Sequence, residues 1–598
     1  MKKNEDLLFG IGNIDPELVT EALPKRKNTV KITKLCALVA TIALMVSSLT
    51  VYLLMPYSDH LARYSESDYY EVIKALDKLE STPVFKNRFD KLSSMALSAL
   101  ASFAPKGGNN IDMDAAPPTS DRGDGAGDYV ETTDNQTAGV IEADLFKRTS
   151  THVFYLYGSS VLSYSIEKDL SELKCSYDLD LPSDMKYKLG GTAEMYLSED
   201  AKTLTVIYPY VTDENKYAVS VMMLDVENPE EIKARQRATF GGSYLSSRLV
   251  GDRLLVFTSF AFDNVDYRDP ETFVPTVTVG SETVCVSPDS IVIPEKMGAK
   301  RYTVVSVLDE STADLVGTLA LLSYAETVYV SDSSVYAVGT PFRDSRGSFT
   351  DITRIDYLSD SLSENMTYTV RGRVLNQYSL DEYEGVLRVV TSTDSSASLY
   401  CMDKENGNMI GKVESFAPSG EEVTSVRFDG ESAYVCTAVR VTFTDPVFFF
   451  DLSDYSDISY TGTGYIDGFS SSLINYGDIL LGIGEDDSTT LKVEIYAEIE
   501  GAVVPLDSYK LVGEASEIYK SYFVDREGML FGFGAQLFTP SALEAPYRYV
   551  LLSIRDGELY ELVNIPVFSG VDMMRAFLDD GWLYVLGASD FRAVRVGK

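Results

Sequence analysis

Two histidines, His60 and His152, stand in a chain of 598 residues that carries 90 acidic and 52 basic side chains. Imidazole is the usual near-neutral acid/base group and the commonest metal ligand, so a Ser-His-Asp triad or a His-rich zinc site is nearly excluded. No G-x-S-x-G, H-E-x-x-H or Walker pattern occurs. Cys36, Cys175, Cys285, Cys401 and Cys436 are widely spaced and form no C-x-x-C pair, which leaves no zinc ribbon. The last four suit either two disulfides in an oxidising compartment or isolated thiols. Carboxylate and guanidinium chemistry remains. Acids cluster at Asp381-Glu382-Tyr383-Glu384, at Glu485-Asp486-Asp487, and at Asp263, Asp266 and Asp269. Oxygen clusters suit Ca²⁺, which takes about six to eight donors, but none here has calcium-loop spacing. Solvated hairpin faces are the default and no cofactor is expected. Paired carboxylates would also serve a hydrolase or lyase; glycoside cleavage needs separations of about 5–10 Å, which sequence does not give.

Arg248, Arg388 and Arg427 fall at roughly corresponding places in a repeating pattern. Asn376, Gln377, Asp381, Glu382, Arg388 and Arg427 are therefore the candidates for a polar binding site, in a channel or on a loop face. Their competing role is that of buried, paired residues that specify the fold. Trp582, the only tryptophan, reads as core rather than as a sugar-stacking platform. No residue is assigned a catalytic or metal-binding role.

The elements that position these residues are strands. From about Val140 onward, short runs rich in Val, Tyr, Thr and Phe recur between Gly/Asp/Asn/Ser turns. They include HVFYLY (152–157), TLTVIYPYV (203–211), RLLVFTSF (253–260), SVYAVG (334–339), VLRVVTS (386–392), SAYVCTAV (432–439), ILLGIG (479–484), MLFGFG (529–534) and WLYVLG (582–587). No helix-length periodic segment interrupts them, which argues against a parallel sheet. A spacing near 50 residues is that of a four-stranded blade. Turns such as Glu384-Gly385 and Asp580-Gly581 precede many runs, and Leu224-Asp225-Val226 and Phe450-Asp451-Leu452 share a closing pattern. The expected fold is all-β: a β-propeller of about eight four-stranded blades, with seven to nine allowed because an insertion near 262–300 blurs one unit.

Leu35 to Met55 contains no charge, is long enough to span a bilayer as a helix, and follows Lys25, Arg26, Lys27, Lys31 and Lys34. The basic side stays cytoplasmic. The expected order is a cytoplasmic tail (1–34), a transmembrane helix (35–55), a helical stalk (56–104), a flexible linker (105–136) and an extracytoplasmic propeller (137–598). A cleaved signal peptide fits less well, because the basic lead is long and no A-x-A site follows. Helical spacing of Tyr69, Val72, Ile73, Leu76 and Leu79 marks the stalk; a second helix-like run covers 87–103, and Arg122-Gly123-Asp124 in the linker is a chance tripeptide. The net charge of −38 divides into +2 on residues 1–34 (seven basic, five acidic) and −40 on the remainder. Such a charge disfavours nucleic acid.

The run from Val374 to Val389, VLNQYSLDEYEGVLRV, resembles the central signature of the bacterial and archaeal secreted β-propeller family distantly related to WD40 repeats. So do Val426-Arg427-Phe428 with Thr444-Asp445-Pro446-Val447, Ser246-Ser247-Arg248, and Ala138-Gly139-Val140-Ile141-Glu142-Ala143-Asp144. Where the family's pattern has Asp, this chain has Ile141, which weakens a metal reading there. The resemblance covers roughly 130–598 and implies an extracytoplasmic, usually membrane-tethered propeller. The stretch IGNIDPELVTEA also resembles the tails of clostridial single-pass proteins related to anti-sigma factors. The expected function is a cell-surface binding or scaffold module for a protein or glycan. The alternatives are a transmembrane sensor that meets a cytoplasmic regulator through its tail, and a carboxylate-dependent enzyme with its site in the channel.

Overall fold

Tight turns with two left-handed residues set the repeat. Glu384 and Gly385 have φ of 48° and 79°, and Asp580 and Gly581 have 45° and 79°. That is the type I′ conformation, whose twist matches the flanking strands and which needs glycine or a small polar residue. The computed structural model describes residues 61–81, 129–130, 135–168, 172–188, 193–295, 299–344, 346–357, 362–438, 446–462, 468–487, 489–499, 502–516, 518–538, 546–588 and 591–597. The chain divides into two compact units, Met1–Ser67 and Asp68–Lys598. Described residues of the first contain a 3-10 turn, Ala62–Tyr64. Described residues of the second hold one α-helix, Tyr70–Ser81, and all the described strands. The tail, the 35–55 span, the 87–103 run and the Arg-Gly-Asp tripeptide lie outside the described residues. Among the described residues no helix is long and apolar enough to cross a membrane.

The strands form antiparallel meanders, each starting with an inner strand. Eight hydrogen-bonded sheets result, one of which has eight strands. That one is two blades, because the last residues of Ala502–Ala515 pair with Ala535, Gln536 and Leu537 of the following blade. Among the described residues the ring therefore has nine blades, the upper end of the seven to nine allowed. Their inner strands are Phe146–Thr149, Glu194–Leu197, Ser243–Val250, Ala325–Val330, Leu380–Tyr383, Glu422–Asp429, Phe469–Tyr476, Phe523–Asp525 and Arg575–Asp579. The ninth blade has three strands.

Neighbouring blades bury their faces against each other in a succession of apolar clusters around the ring. Among the described residues no strand is exchanged between the last and first blades, so closure rests on side chains. Phe577 stacks on Phe146 at 6.3 Å and on Tyr584 at 4.8 Å, with Arg148 over its face at 4.5 Å.

The 262–300 insertion belongs to the third blade but feeds the second. Its hairpin, Thr276–Val279 and Glu282–Cys285, extends the outer edge of the second blade through pairing with Ala238, Thr239 and Phe240. Ile291–Val292 then pairs with the outer strand of its own blade. An exposed edge is thereby covered. Tyr69, at the start of the helix, donates to the Val286 carbonyl at 2.9 Å and meets Phe273 edge-on. Val72, Ile73 and Leu76 are buried as their spacing predicts. The helix is therefore tied to the insertion at its first turn. The fold also begins inside the stretch read as a linker, since Tyr129–Val130 pairs with Arg148 and Thr149. Cys175, Cys285, Cys401 and Cys436 sit in the sheets as separate thiols.

Phe577→Ala removes the central ring of the closure and is expected to lower the unfolding free energy by about 3–5 kcal/mol, read by urea denaturation. A second test concerns Glu310, which follows the strand Arg301–Asp309 and donates its backbone N–H to Asp252. Burial, reinforced by Asp200 and Asp309, pushes its carboxyl up to about 8 from 4.5. The folded chain keeps a proton that the unfolded chain has lost, so this group lowers stability as pH rises through that interval. Glu310→Gln is expected to stabilise the protein more at pH 8 than at pH 5.

Candidate functional site

The channel of a nine-bladed ring is wide, and a packed interior tolerates few voids. The segment ahead of the first blade lies in it. Val140–Ile141 pairs along the inner edge of the third blade, opposite Leu249 and Val250. Gln136 donates to the carbonyls of Gln377 and Leu380 at 3.1 and 3.0 Å, and Thr137 to that of Val330 at 3.3 Å. Asp144 exchanges both backbone bonds with Met195 of the second blade. Residues 135–145 thus pass the fifth, fourth, third and second blades in turn, forming a strap along their inner edges.

Two carboxylates anchor this strap. Glu142 accepts from Arg248 at 3.0 Å and from Gln377 at 3.1 Å, and Asp144 accepts from Arg575 at 2.8 Å. Both acids are 1% exposed or less. The guanidinium of Arg248 also reaches Gln377 at 2.6 Å, Ser246 at 2.7 Å and the Ser247 carbonyl at 2.6 Å. These bonds fix the side chains in one geometry.

The inner strands traverse the channel in one direction, so their starting residues share a level. The strap meets them at Met195, Leu249, Val330 and Leu380. At their starts a cavity of about 640 Å³ opens, walled by the second, third, fourth, fifth, eighth and ninth blades. Leu145, Arg248, Gln377 and Arg575 line it on the strap side. It is a cup whose floor is held by the strap, with Glu326 and Asp572 exposed at its rim.

Each cation of the cup is paired with an acid, and Glu326 and Asp572 add two further carboxylates. Lys520 pairs with Glu194 at 2.5 Å, and Glu194 accepts from Tyr244 at 3.0 Å. Tyr244 and Tyr196 meet on the hydroxyl of Ser247 at 2.7 and 2.8 Å. Burial pushes the Lys520 ammonium down, but attraction by Glu194 and by Glu142 outweighs it, so its pKa rises and it stays charged. Burial and then Glu194 hold the Tyr244 phenol protonated, well above its usual range. Ser516 donates to Asp572 at 2.7 Å. The groups present donors and acceptors in fixed places.

Of the six candidates read from sequence, Gln377 lines the cup. Asn376 caps the short turn Gln377–Ser379, accepting from the Tyr378 N–H at 3.1 Å. Asp381 and Arg388 are paired with each other: the Arg388 Nε–Asp381 bond is 2.9 Å, and Arg388 lies between the rings of Tyr383 and Phe428 while donating to the Gly430 carbonyl at 2.6 Å. Glu382 ties the fourth blade to the fifth through Tyr336 at 2.7 Å and Lys404 at 2.6 Å. Arg427 is buried in its inner strand, in register with Tyr434. Trp582 is half-buried against the first apolar cluster. The cup residues that sequence reasoning missed are Glu194, Glu326, Lys520, Asp572 and Arg575, with Glu142 and Asp144 beneath. Carboxylates two apart in the otherwise apolar stretch Val140–Asp144 were the available signal for the strap, since i and i+2 share one face of an extended chain.

The acidic clusters outside the cup are engaged in other contacts. Asp486 pairs with Lys510 at 2.8 Å, and Asp266 and Asp269 accept backbone N–H groups of their own turns. Among the described residues no group of three or more His, Cys, Asp or Glu is placed to hold a metal ion.

A closed ring of four-stranded blades with its polar site at the centre defines a β-propeller. Residues 130–506 match the family described as "Beta propeller domain", and the chain belongs to that family. It is similar to an uncharacterised protein of Archaeoglobus fulgidus, 30% identical over 240 residues that make up 40% of this chain and 36% of that protein. It is also similar to the uncharacterised protein MJ1554 of Methanocaldococcus jannaschii, 32% identical over 37% of this chain and 35% of that one. The match thus spans about a third of the length of each curated relative. A solved structure, that of Kluyveromyces lactis Hsv2p, aligns over 63% of this chain and 100% of its own at 11% identity, with a TM-score of 0.30.

Glu142→Ala leaves Arg248 buried without its anion and is expected to cost about 3–5 kcal/mol in urea unfolding. The double variant Glu142→Ala/Arg248→Met is expected to recover most of that loss.

Proposed function

We propose that the protein is a binding module of the cell surface, a propeller held outside the membrane by one N-terminal span, whose ligand enters the central cup. The observation that carries this reading is the cup itself: about 640 Å³, within the roughly 300–1,000 Å³ range of small-molecule sites, and lined by polar groups already fixed in place. Preorganised groups reduce the ordering cost of binding. Glu142, Asp144 and Glu194 are each bonded to a cation, which suits them to hold a ligand's surroundings rather than to exchange protons with it. That favours binding over a carboxylate-dependent hydrolase or lyase. The apolar stretch 35–55 with its basic lead supports the anchor and the outward propeller.

A second reading, a transmembrane sensor, draws on the strap. Residues 135–145 bond to the cup's floor residues and continue toward the N-terminal tail, so a ligand that shifts Arg248 or Arg575 bears on the segment leading to that tail. Exchange of residues 1–34 for an unrelated basic sequence abolishes signalling under this reading and leaves ligand binding intact.

Ligand-observed NMR of the full chain in detergent, against a library of small polar compounds, tests the cup. Lys520→Met is expected to weaken a bound compound about tenfold or more, the effect of losing a hydrogen bond to a charged group. A compound that binds the wild type and this variant equally occupies another place and contradicts the proposal.

A further inference from the structure

The chemistry of the cup also points to a class of ligand. Resting on the reading of the cup as the binding site, we infer that it takes the end of a neutral carbohydrate chain. Four features carry this. First, the lining cations Arg248, Lys520 and Arg575 are each paired with an acid, Glu142, Glu194 and Asp144. An anion would have to break one of these buried pairs or face Glu194, Glu326 and Asp572 uncompensated, both costly in a low-dielectric site; an uncharged ligand does neither. Second, donors (Arg248, Lys520, Tyr244) and acceptors (Glu194, Glu326, Asp572) alternate around the wall. A sugar hydroxyl both donates and accepts, so one polyhydroxylated ring can meet both kinds at once.

Third, the polar groups are interleaved with tyrosine rings. Tyr378 and Tyr519 both line the cup and meet edge-on at 5.3 Å, beside Val328 and Ile518. Such surfaces suit the C–H face of a sugar ring, an apolar patch on a polar molecule. Fourth, the strap backs the cavity by bonding to its lining residues Arg248, Gln377 and Arg575, so a chain meets it end-on. The cavity of about 640 Å³ takes a di- or trisaccharide and leaves the rest of the polymer outside the rim.

The test uses the full chain in detergent, with maltotriose, cellotriose, mannotriose and triacetylchitotriose as neutral linear probes. β-Cyclodextrin is the probe without ends; trigalacturonate and the glucosamine trimer are the charged ones. Binding is read by calorimetry, with Glu326→Ala and Asp572→Ala as variants at the exposed rim and their melting curves as folding controls. The expected result is that at least one neutral linear trisaccharide binds, that both variants weaken it about tenfold, and that β-cyclodextrin does not compete. If only charged trimers bind, and do so with sensitivity to the rim variants, the cup stands and the neutral class is overturned. Cyclodextrin binding as tight as that of the linear sugars overturns chain-end recognition. Saccharide binding that neither variant alters overturns the cup itself, and no saccharide binding at millimolar concentration overturns the carbohydrate class.

Discussion

Glu142 meets Arg248 at 3.0 Å in the middle of the ring, and the centre of the molecule is arranged around that contact. One partner lies on the strap and the other on the third blade; Gln377 of the fifth blade joins both. A buried pair of this kind adds little net stability against an apolar alternative, but it specifies one arrangement and penalises any other. Here it fixes the strap against the third and fifth blades, and with it the residues that back the cup. Asp144 and Arg575 repeat the device at the ninth blade. The strap thereby reaches four consecutive blades and the last, tying together parts of the ring that share no strand.

The ring needs such ties. Each small sheet covers its faces only with its neighbours, and the last and first blades close by packing around Phe577 rather than by strand exchange. Further joints carry backbone bonds between blades: the long strand Ala502–Ala515 joins the seventh to the eighth, and the third blade's insertion extends the second. Tyr69 attaches the helix Tyr70–Ser81 to that insertion.

Much of the architecture was legible because the second strand of a blade carries a largely buried apolar run. Each of the nine apolar runs found in the sequence is the second strand of a different blade. The count of nine lies within the seven to nine allowed; the insertion near 262–300, which adds a hairpin to the second blade, is what blurred it. The site was less legible. Arg388 and Arg427 resemble Arg248 in their place along the chain, yet Arg388 lies on a second strand, where it serves Asp381 and two aromatic rings. Which polar residue faces the channel depends on its level along the inner strand, and sequence spacing does not report that level. Lys520, Asp572 and Arg575 come from short turns just before inner strands or from their first residues, where no periodicity marks them. The strap was visible as a motif but not as a channel element, because its partners lie up to 431 residues away.

A propeller built this way separates support from recognition: strand interiors hold the ring, while strand starts and the strap make the binding cup. The strap is the part on which the rest turns, and amide hydrogen exchange of the full chain measures it directly. Peptides covering 135–145 are expected to exchange as slowly as those of the buried strand Arg253–Ala261, because the N–H groups of Val140, Glu142 and Asp144 are bonded to Thr137, Asn135 and Met195. Exchange of those amides at the rate of an unstructured peptide, with the blade strands still protected, would contradict a strap held against the blades.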